Sequence, residues 1–175
     1  METKKNIVLC GFMATGKSSV GKRLAELLGR DFLDTDALIE TEEGMPISQI
    51  FARRGEPAFR ALEVRMVERV ARRSGCVIAA GGGTILNPKN LETLKRNGVV
   101  IALEADADAV LSRVGDGEDR PLLRVADKRG RIRELMEQRK GAYAMADIAV
   151  DTSRLSIEEV ARLLIERLRE QGENI

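Results

Sequence analysis

The fold of this chain is decided by the stretch GFMATGKS at residues 11–18, which matches the phosphate-binding loop pattern G-x-x-x-x-G-K-[ST]. Such a loop turns its backbone N–H groups inward around a polyphosphate. Gly11 and Gly16 stand where a side chain would obstruct that wrap. Lys17 supplies a positive charge for the β- and γ-phosphates, and Ser18 offers a hydroxyl to Mg²⁺.

The neighbouring sequence supports phosphate binding. Residues 5–10, KNIVLC, form a short apolar run that is typical of a buried parallel strand. Residues 19–28 predict a helix whose positive dipole end faces the phosphates. The alternative is an ordinary glycine turn between a strand and a helix, and the strand–loop–helix context favours a phosphate site over it.

Composition narrows the function classes. The 175 residues, 43% hydrophobic and 33% charged, predict one globular domain over residues 1–175. A net charge of +1 and an aromatic content of 3% argue against a nucleic-acid partner. The chain contains no histidine, so a general base must be a carboxylate, a lysine or the substrate itself.

Localisation and redox state follow from the same composition. No signal peptide and no run of 18 apolar residues is present, which predicts a cytoplasmic protein without a membrane partner. Cys10 and Cys76 both lie in or beside apolar runs, and we expect them to be buried and reduced.

Two carboxylates follow a very short predicted strand at Phe32 and Leu33. Asp34 and Asp36 are two positions apart, and in an extended chain their side chains share one face. Such a pair repels unless a cation or hydrogen-bond donors lie between them, which predicts Mg²⁺ and a substrate hydroxyl there. The alternative is a solvated acidic turn in which Asp36 caps a helix over residues 37–43.

An arginine and a glycine run come next. Helices are predicted at residues 47–53 and 58–73, and Arg60 lies in the first turn of the second, where a cation opposes the helix dipole. Arg60 is therefore a candidate for binding an anionic substrate, the alternative being a surface arginine paired with Glu56 or Glu63.

A predicted strand at 76–80 runs into Gly81, Gly82 and Gly83, where many phosphate-loop proteins carry an acidic metal ligand. The metal's carboxylate must then come from elsewhere, and Asp34 is available. Glycines in this place suit close approach of the backbone to a ligand, and a flexible loop is the alternative.

The second half continues the alternation of strands and helices. Helices are predicted at 87–96, 106–114, 132–143 and 156–170, and strands at 98–103 and 148–151. Residues 115–126 are polar and glycine-rich and predict a mobile lid, from which Arg120 reaches the transferring phosphoryl group. Arg113 lies either over an adenine or on the bare surface. Five short strands alternating with helices indicate an α/β fold with a parallel sheet covered on both faces.

The separated motifs together resemble the shikimate kinase family over about residues 7–168. They comprise GFMATGKS at 11–18, DTD at 34–36, Phe59-Arg60 with Glu63, GGG at 81–83, RPLL at 120–123, and Arg139 four residues before Tyr143. The resemblance implies a three-layer P-loop kinase fold with strand order 2-3-1-4-5. It also implies ATP-dependent phosphorylation of the shikimate 3-hydroxyl.

The resemblance assigns roles by motif. The nucleotide phosphates would be bound by the loop residues Ala14, Thr15, Gly16, Lys17, Ser18 and Ser19. Arg113 and Arg120 would contact the rest of ATP, and Ser18 and Asp34 would bind one Mg²⁺ ion. Shikimate would be bound by Asp36, Arg60, Gly81, Gly82, Gly83 and Arg139, with the substrate region at about 34–62. The catalytic residues would be Lys17, Asp36 and Arg120. The resemblance also implies that the protein is a monomer.

This chain departs from the family pattern at two positions. Ala14 stands where the loop usually has glycine, and Gly141 stands where many relatives have proline. The competing functions are a gluconate kinase, a nucleotide kinase and a non-catalytic nucleotide-binding module. The glycine run argues against gluconate and nucleotide kinases, and the retained Asp36, Arg60, Arg120 and Arg139 argue against the module.

Overall fold

A five-stranded parallel sheet forms the centre of the protein, whose computed structural model describes residues 4–115 and 121–173. The strands are β1 (Asn6–Gly11), β2 (Phe32–Asp34), β3 (Val77–Ala79), β4 (Gly98–Glu104) and β5 (Ile148–Asp151). They pair in the order β2-β3-β1-β4-β5, which confirms the order implied by the family resemblance. The phosphate-binding loop follows the central strand, so ligand groups can approach it from both neighbours.

Helices cover the sheet on both faces. They are α1 (Lys17–Leu28), α2 (Thr35–Glu43), α3 (Ile47–Ala71), α4 (Pro88–Lys95), α5 (Ala107–Val114), α6 (Lys128–Tyr143) and α7 (Ile157–Glu170). Within the described parts of the chain, none of these helices has the length and apolar composition that crossing a bilayer requires.

The core divides at the sheet because side chains alternate along each strand. In β1, Val8 and Cys10 pack into one apolar cluster with α3 and α4, whereas Ile7 and Leu9 pack into the other with α1 and α7. This is the predicted three-layer arrangement. Cys10 and Cys76 are both buried free thiols, as expected.

Several boundaries differ from the sequence prediction for identifiable reasons. Helix α3 spans both predicted helices but has a kink at Gly55, whose φ of 80° and ψ of 169° are not helical. Helix α6 begins at Lys128 rather than at 132, because Asp127 caps it by accepting from the Gly130 N–H. The apolar periodicity that located this helix starts only one turn later.

The Asp34–Asp36 segment also differs from expectation. Strand β2 ends at Asp34 and α2 begins at Thr35, so the two carboxylates do not share one face of an extended chain. The suggestion that Asp36 caps the helix is wrong. Asp34 is the cap, and its side chain accepts from the backbone N–H groups of Asp36 and Ala37.

Gly11 is required for a different reason from the one that the motif suggested. Its φ is +141°, and a Cβ atom there would collide with the carbonyl oxygen of Leu103, its register partner on β4. The first residue of the loop thus lies against the end of the neighbouring strand. A side chain at Gly11 would therefore force the loop or the end of β4 to shift, whether or not phosphate is bound.

We predict that Gly11→Ala destabilises the protein by about 3 kcal/mol and abolishes binding of ADP, because the collision is with backbone that cannot rotate away. Gly29→Ala is the matched control, since Gly29 also has a positive φ of +61° but has no atom within 4 Å of the added Cβ. It should cost only about 1 kcal/mol. Chemical denaturation measures both, and equal losses would contradict the role of the Leu103 contact.

Candidate active site

The phosphate-binding loop passes into the N-terminus of α1. Gly16 is the N-cap residue, with a φ of 96°, and no acidic side chain in the first turn of α1 neutralises the positive end of the helix dipole, which is left for an anionic ligand. The Lys17 ammonium lies back over the loop and donates to the carbonyl oxygens of Gly11, at 3.0 Å, and Phe12, at 2.8 Å. Ser18 and Ser19 lie in the first turn of the helix and are exposed. A loop and helix N-terminus arranged in this way are suited to bind phosphate.

Ala14 adopts a backbone conformation that favours glycine. Its φ is 57°, in the left-handed region, at the position where the family pattern usually has glycine. An L-residue pays about 1–2 kcal/mol for this conformation. The Ala14 carbonyl oxygen accepts from Arg113 Nη1 at 3.2 Å, so the peptide is held by a side chain from α5.

The two candidate metal ligands lie together. The Ser18 hydroxyl donates to Asp34 Oδ2 at 2.6 Å, while Asp34 Oδ1 is occupied by capping α2. Hydroxyl and carboxylate oxygens are suitable ligands for Mg²⁺, which often takes one or two protein ligands and completes its shell with phosphates and water. Within the described residues, no cluster of three metal-ligating side chains exists. The pair therefore fits a phosphate-bound Mg²⁺ better than a cage made only of protein ligands.

Asp36 is a half-buried carboxylate whose Oδ1 atom is buried and, among the described residues, has no hydrogen-bond partner. Burial raises the pKa of Asp36 to about 6, and the negative charges of Asp34 and Glu63 add to the rise. A buried acceptor of this kind is suited to accept a hydrogen bond from a ligand hydroxyl.

The three glycines after β3 each lie against a different candidate side chain. A Cβ atom at Gly81 would be 2.5 Å from Asp36 Oδ1, and one at Gly83 would be 2.6 Å from Arg60 Nη1. A Cβ at Gly82 would have only ordinary contacts, at 3.8 Å from the Met13 nitrogen and 3.9 Å from Arg139 Nη1. The glycine run therefore brings Asp36, Arg60, Arg139 and the phosphate-binding loop to one place. The alternative of an unconstrained loop does not hold for it.

Arg60 is held by the carboxylates that the sequence offered as its alternative partners. It donates to buried Glu63 at 2.9 Å and to Glu56 at 3.3 Å. The second oxygen of Glu63 accepts from the Thr84 hydroxyl at 2.7 Å. The Thr84 carbonyl in turn accepts from buried Asn90 at 3.0 Å. Arg60 is thus oriented beside Gly83 by a chain of buried polar groups, and it also makes the predicted ion pairs.

Arg139 is in a different situation, because it is 9% exposed and forms no ion pair with any described carboxylate. Its guanidinium lies 5.5 Å from the centre of the Phe12 ring and beside Gly82. Burying a cation without an anionic partner is costly. The arrangement therefore favours an anion supplied by a ligand.

Tyr143 connects Arg139 to the glycine run. Its hydroxyl donates to the Gly82 carbonyl oxygen at 2.7 Å. Burial raises the pKa of Tyr143, and the neighbouring Arg139 cation opposes that rise. Thr35 also contacts the backbone of the glycine run, because its hydroxyl accepts from the Gly81 N–H at 3.0 Å.

Some site residues were not found from the sequence, and one lies beyond the described part. Thr35, Thr84, Asn90 and Thr152 are buried polar residues whose roles depend on partners distant in sequence. A buried polar side chain has no sequence signal of its own. Arg120 lies outside the described residues, as does most of the first half of the predicted lid at 115–126.

We predict that Asp36→Asn stabilises the protein at pH 8. The folded-state pKa of about 6 exceeds the ordinary value of 3.8, so the folded protein resists ionisation and loses stability as the pH rises from 4 to 6. The amide removes this cost, and we expect a gain of about 2 kcal/mol at pH 8 that disappears near pH 4. Denaturation in metal-free buffer at both pH values measures the effect.

Asp108→Asn is the control for that experiment. A hydrogen bond from Arg129 lowers the pKa of Asp108, so its substitution should not stabilise the protein at pH 8. A similar gain in both variants, or none in Asp36→Asn, would contradict the unfavourable burial of Asp36.

Comparison with known proteins identifies the relatives of this chain. Residues 13–169 match the family described as shikimate kinase. The shikimate kinase of Pelotomaculum thermopropionicum is 46% identical over 168 residues, covering 96% of this chain and 98% of the relative.

Solved structures agree with the sequence comparison. The shikimate kinase from Acinetobacter baumannii in complex with shikimate superposes with a TM-score of 0.94 at 35% identity, covering 99% of this chain and 97% of that one. A gluconokinase from Sinorhizobium meliloti has a TM-score of 0.60 at 21% identity, covering 98% and 99%, and this likeness extends to the fold alone.

Proposed function

The chain belongs to the shikimate kinase family, and we propose that it phosphorylates the 3-hydroxyl of shikimate with ATP at the site beside Gly81, Gly82 and Gly83. The observation that carries this proposal is the buried Arg139 with no described carboxylate partner, next to Arg60 and the phosphate-binding loop. Shikimate offers one carboxylate for such an arginine pair and hydroxyls for a buried acceptor. The sheet order and the similarity to a structure in complex with shikimate support the proposal.

The geometry supports a role for each binding group. Arg139 and Arg60 bind the substrate carboxylate, and the backbone at Gly82 completes that pocket because a side chain there would fill the space beside Arg139. Asp36 accepts a hydrogen bond from the 3-hydroxyl through its unsatisfied oxygen. The hydroxyl is thereby placed on the side of the site that faces the loop.

Phosphoryl transfer then depends mainly on positioning and charge. The 3-hydroxyl oxygen forms a bond to the γ-phosphorus, the bond from that phosphorus to the β-phosphate oxygen breaks, and the hydroxyl proton passes to Asp36. Lys17 and the inward N–H groups of residues 14–19 stabilise the negative charge on the phosphates. The products are shikimate 3-phosphate and ADP.

Mg²⁺ and the remaining arginines belong to the same proposal. Ser18 and Asp34 hold one Mg²⁺ ion, which supplies charge neutralisation on the phosphates when bound. Arg113 borders the adenine, and Arg120 from the segment 115–126 covers the transferring group. The monomeric state, the cytoplasmic location, the single domain and the substrate region at 34–62 stay predictions.

The test of the proposed function is ADP release from Mg-ATP with shikimate, gluconate or AMP offered separately at equal concentration. Turnover is expected with shikimate only. Turnover with gluconate or AMP instead would mean that the scaffold is right and the pocket assignment is wrong. Binding of ADP without turnover of any of the three would favour a non-catalytic nucleotide-binding module.

We predict that Arg139→Ala raises the KM for shikimate by about 100-fold or more while the Kd for ADP changes less than twofold, because Arg139 binds the substrate carboxylate only. Arg133→Ala is the matched control, since Arg133 is exposed on the same helix. Steady-state kinetics and calorimetry provide the two values. Equal losses of shikimate and ADP binding would contradict the assigned role.

We predict that Tyr143→Phe raises the KM for shikimate about fivefold and leaves the KM for ATP unchanged, because only the hydroxyl that bonds the Gly82 carbonyl is lost. Tyr143 is the one tyrosine of a chain without tryptophan, so tyrosine fluorescence of the unaltered protein reports this site directly. Addition of shikimate should change that fluorescence. An increase in the KM for ATP equal to that for shikimate would contradict a local role.

A further inference from the structure

Two successive carbonyl groups of the phosphate-binding loop are bonded from outside the loop. The Ala14 carbonyl oxygen accepts from Arg113 Nη1 at 3.2 Å, and the Thr15 carbonyl oxygen accepts from the Thr152 hydroxyl at 3.1 Å. Arg113 lies on α5 and Thr152 directly follows β5, so both donors come from a part of the chain about 100 or more residues away.

Thr152 has all its polar groups engaged. Its N–H donates to the Glu104 carbonyl at 2.8 Å, and its own carbonyl accepts from Arg113 Nη2 at 2.7 Å. Its hydroxyl accepts from Arg113 Nη1 at 3.1 Å, and its single proton is shared between the carbonyl oxygens of Thr15, at 3.1 Å, and Glu104, at 3.0 Å. The residue is 2% exposed, so it reaches the loop from behind. It therefore orients Arg113 and the loop at the same time.

The sheet order explains why Thr152 reaches the loop. Strand β4 lies between β1 and β5, and the loop leaves β1 pressed against the end of β4 at Leu103. Glu104 is paired with Asp151 on β5, which brings the next residue, Thr152, over the same end of β4. The loop and Thr152 thus meet above one strand end.

A loop that turns its N–H groups toward phosphate must turn its carbonyl groups away from it. A peptide that rotated the other way would present a carbonyl oxygen to the phosphates and repel them. The loop has an added tendency to rotate because Ala14 has a φ of 57°, which is unfavourable for any residue with a side chain. Hydrogen bonds to the outward carbonyls oppose this rotation.

We propose that Thr152 is a positioning residue that holds the phosphate-binding loop in its phosphate-accepting conformation, by bonding the Thr15 carbonyl and by aligning Arg113 with the Ala14 carbonyl. The proposal rests on the proposed nucleotide site. It gives Arg113 a role toward the loop backbone in addition to the adenine contact. The ligand class concerned is the polyphosphate, independent of the base attached to it.

The experiment compares Thr152→Val, which keeps the shape and removes the hydroxyl, with Thr152→Ser, which keeps the hydroxyl. Calorimetry measures Kd for inorganic tripolyphosphate and for ADP, both with Mg²⁺, and for shikimate. We expect Thr152→Val to raise the Kd for tripolyphosphate and the Kd for ADP about tenfold each, and the Kd for shikimate less than twofold. Thr152→Ser should stay within about threefold of the unaltered protein.

Thr93→Val is the matched control, because it makes the same change on α4. It should leave all three Kd values unchanged. Thr152→Ala provides a second variant without the hydroxyl should the valine variant not fold, and Thr152→Ser is again its comparison.

Three results would overturn the proposal. They are unchanged tripolyphosphate binding in Thr152→Val, an equal loss of shikimate binding, and a serine variant as weak as the valine variant. Loss of ADP affinity with unchanged tripolyphosphate affinity would instead assign Thr152 to the adenine side. Failure of the unaltered protein to bind either phosphate ligand would contradict the nucleotide site itself, and is thus distinct from failure of the role of Thr152.

Discussion

The close approach of the phosphate-binding loop to the end of β4 is the constraint on which the rest of the site depends. It requires a residue without a side chain at Gly11, because the Leu103 carbonyl occupies the space that a Cβ would take. With the loop in that place, α1 can begin at Lys17 and direct its N-terminus toward a ligand. The same placement brings the loop carbonyls within reach of Arg113 and Thr152. A contact between two backbones thus sets the position of the charged groups.

The site contains charges that folding alone leaves poorly compensated. Asp36 is half-buried near other carboxylates, and Arg139 is buried without a described anionic partner. The two side chains lie beside neighbouring glycines, Gly81 and Gly82. Each would be more stable with a partner of opposite charge or with hydrogen bonds from a ligand. Such unfavourable groups are typical of binding sites, where the ligand completes the interactions that the protein lacks.

Arg60 differs from Arg139 because neighbouring polar side chains fix its position. The buried Glu63 holds it, and Thr84 and Asn90 hold Glu63 in turn. Arg139 instead relies on an aromatic ring and on Tyr143. One arginine is therefore oriented by ion pairs, whereas the other retains an unneutralised charge. Under the proposed function, Arg139 would contribute more of the attraction for the substrate carboxylate, and Arg60 more of its orientation.

The strand–loop–helix unit, the alternation of strands and helices, and the residue types of the candidate site can all be predicted from the order of amino acids. These depend on local patterns: apolar periodicity, glycines at fixed spacing, and charged residues at strand ends. The family resemblance added the strand order, which the structure confirmed. The ends of helices are harder to predict from these patterns. The N-cap of α6, Asp127, lies outside the apolar pattern of that helix, so the predicted helix began too late.

The pairing of the polar groups is known only from the three-dimensional structure. That structure assigns the helix cap to Asp34 rather than Asp36, and it pairs Thr152 with a loop residue 137 positions away. It also shows why glycine is required at position 11, which is that the Leu103 carbonyl of the neighbouring strand β4 leaves no room for a Cβ atom. Hydrogen bonds between distant residues leave no periodicity in the sequence, and burial depends on what packs from elsewhere. Local chemistry can therefore be predicted from the order of residues, but the partner of each buried polar group is known only when the sheet has brought its strands together.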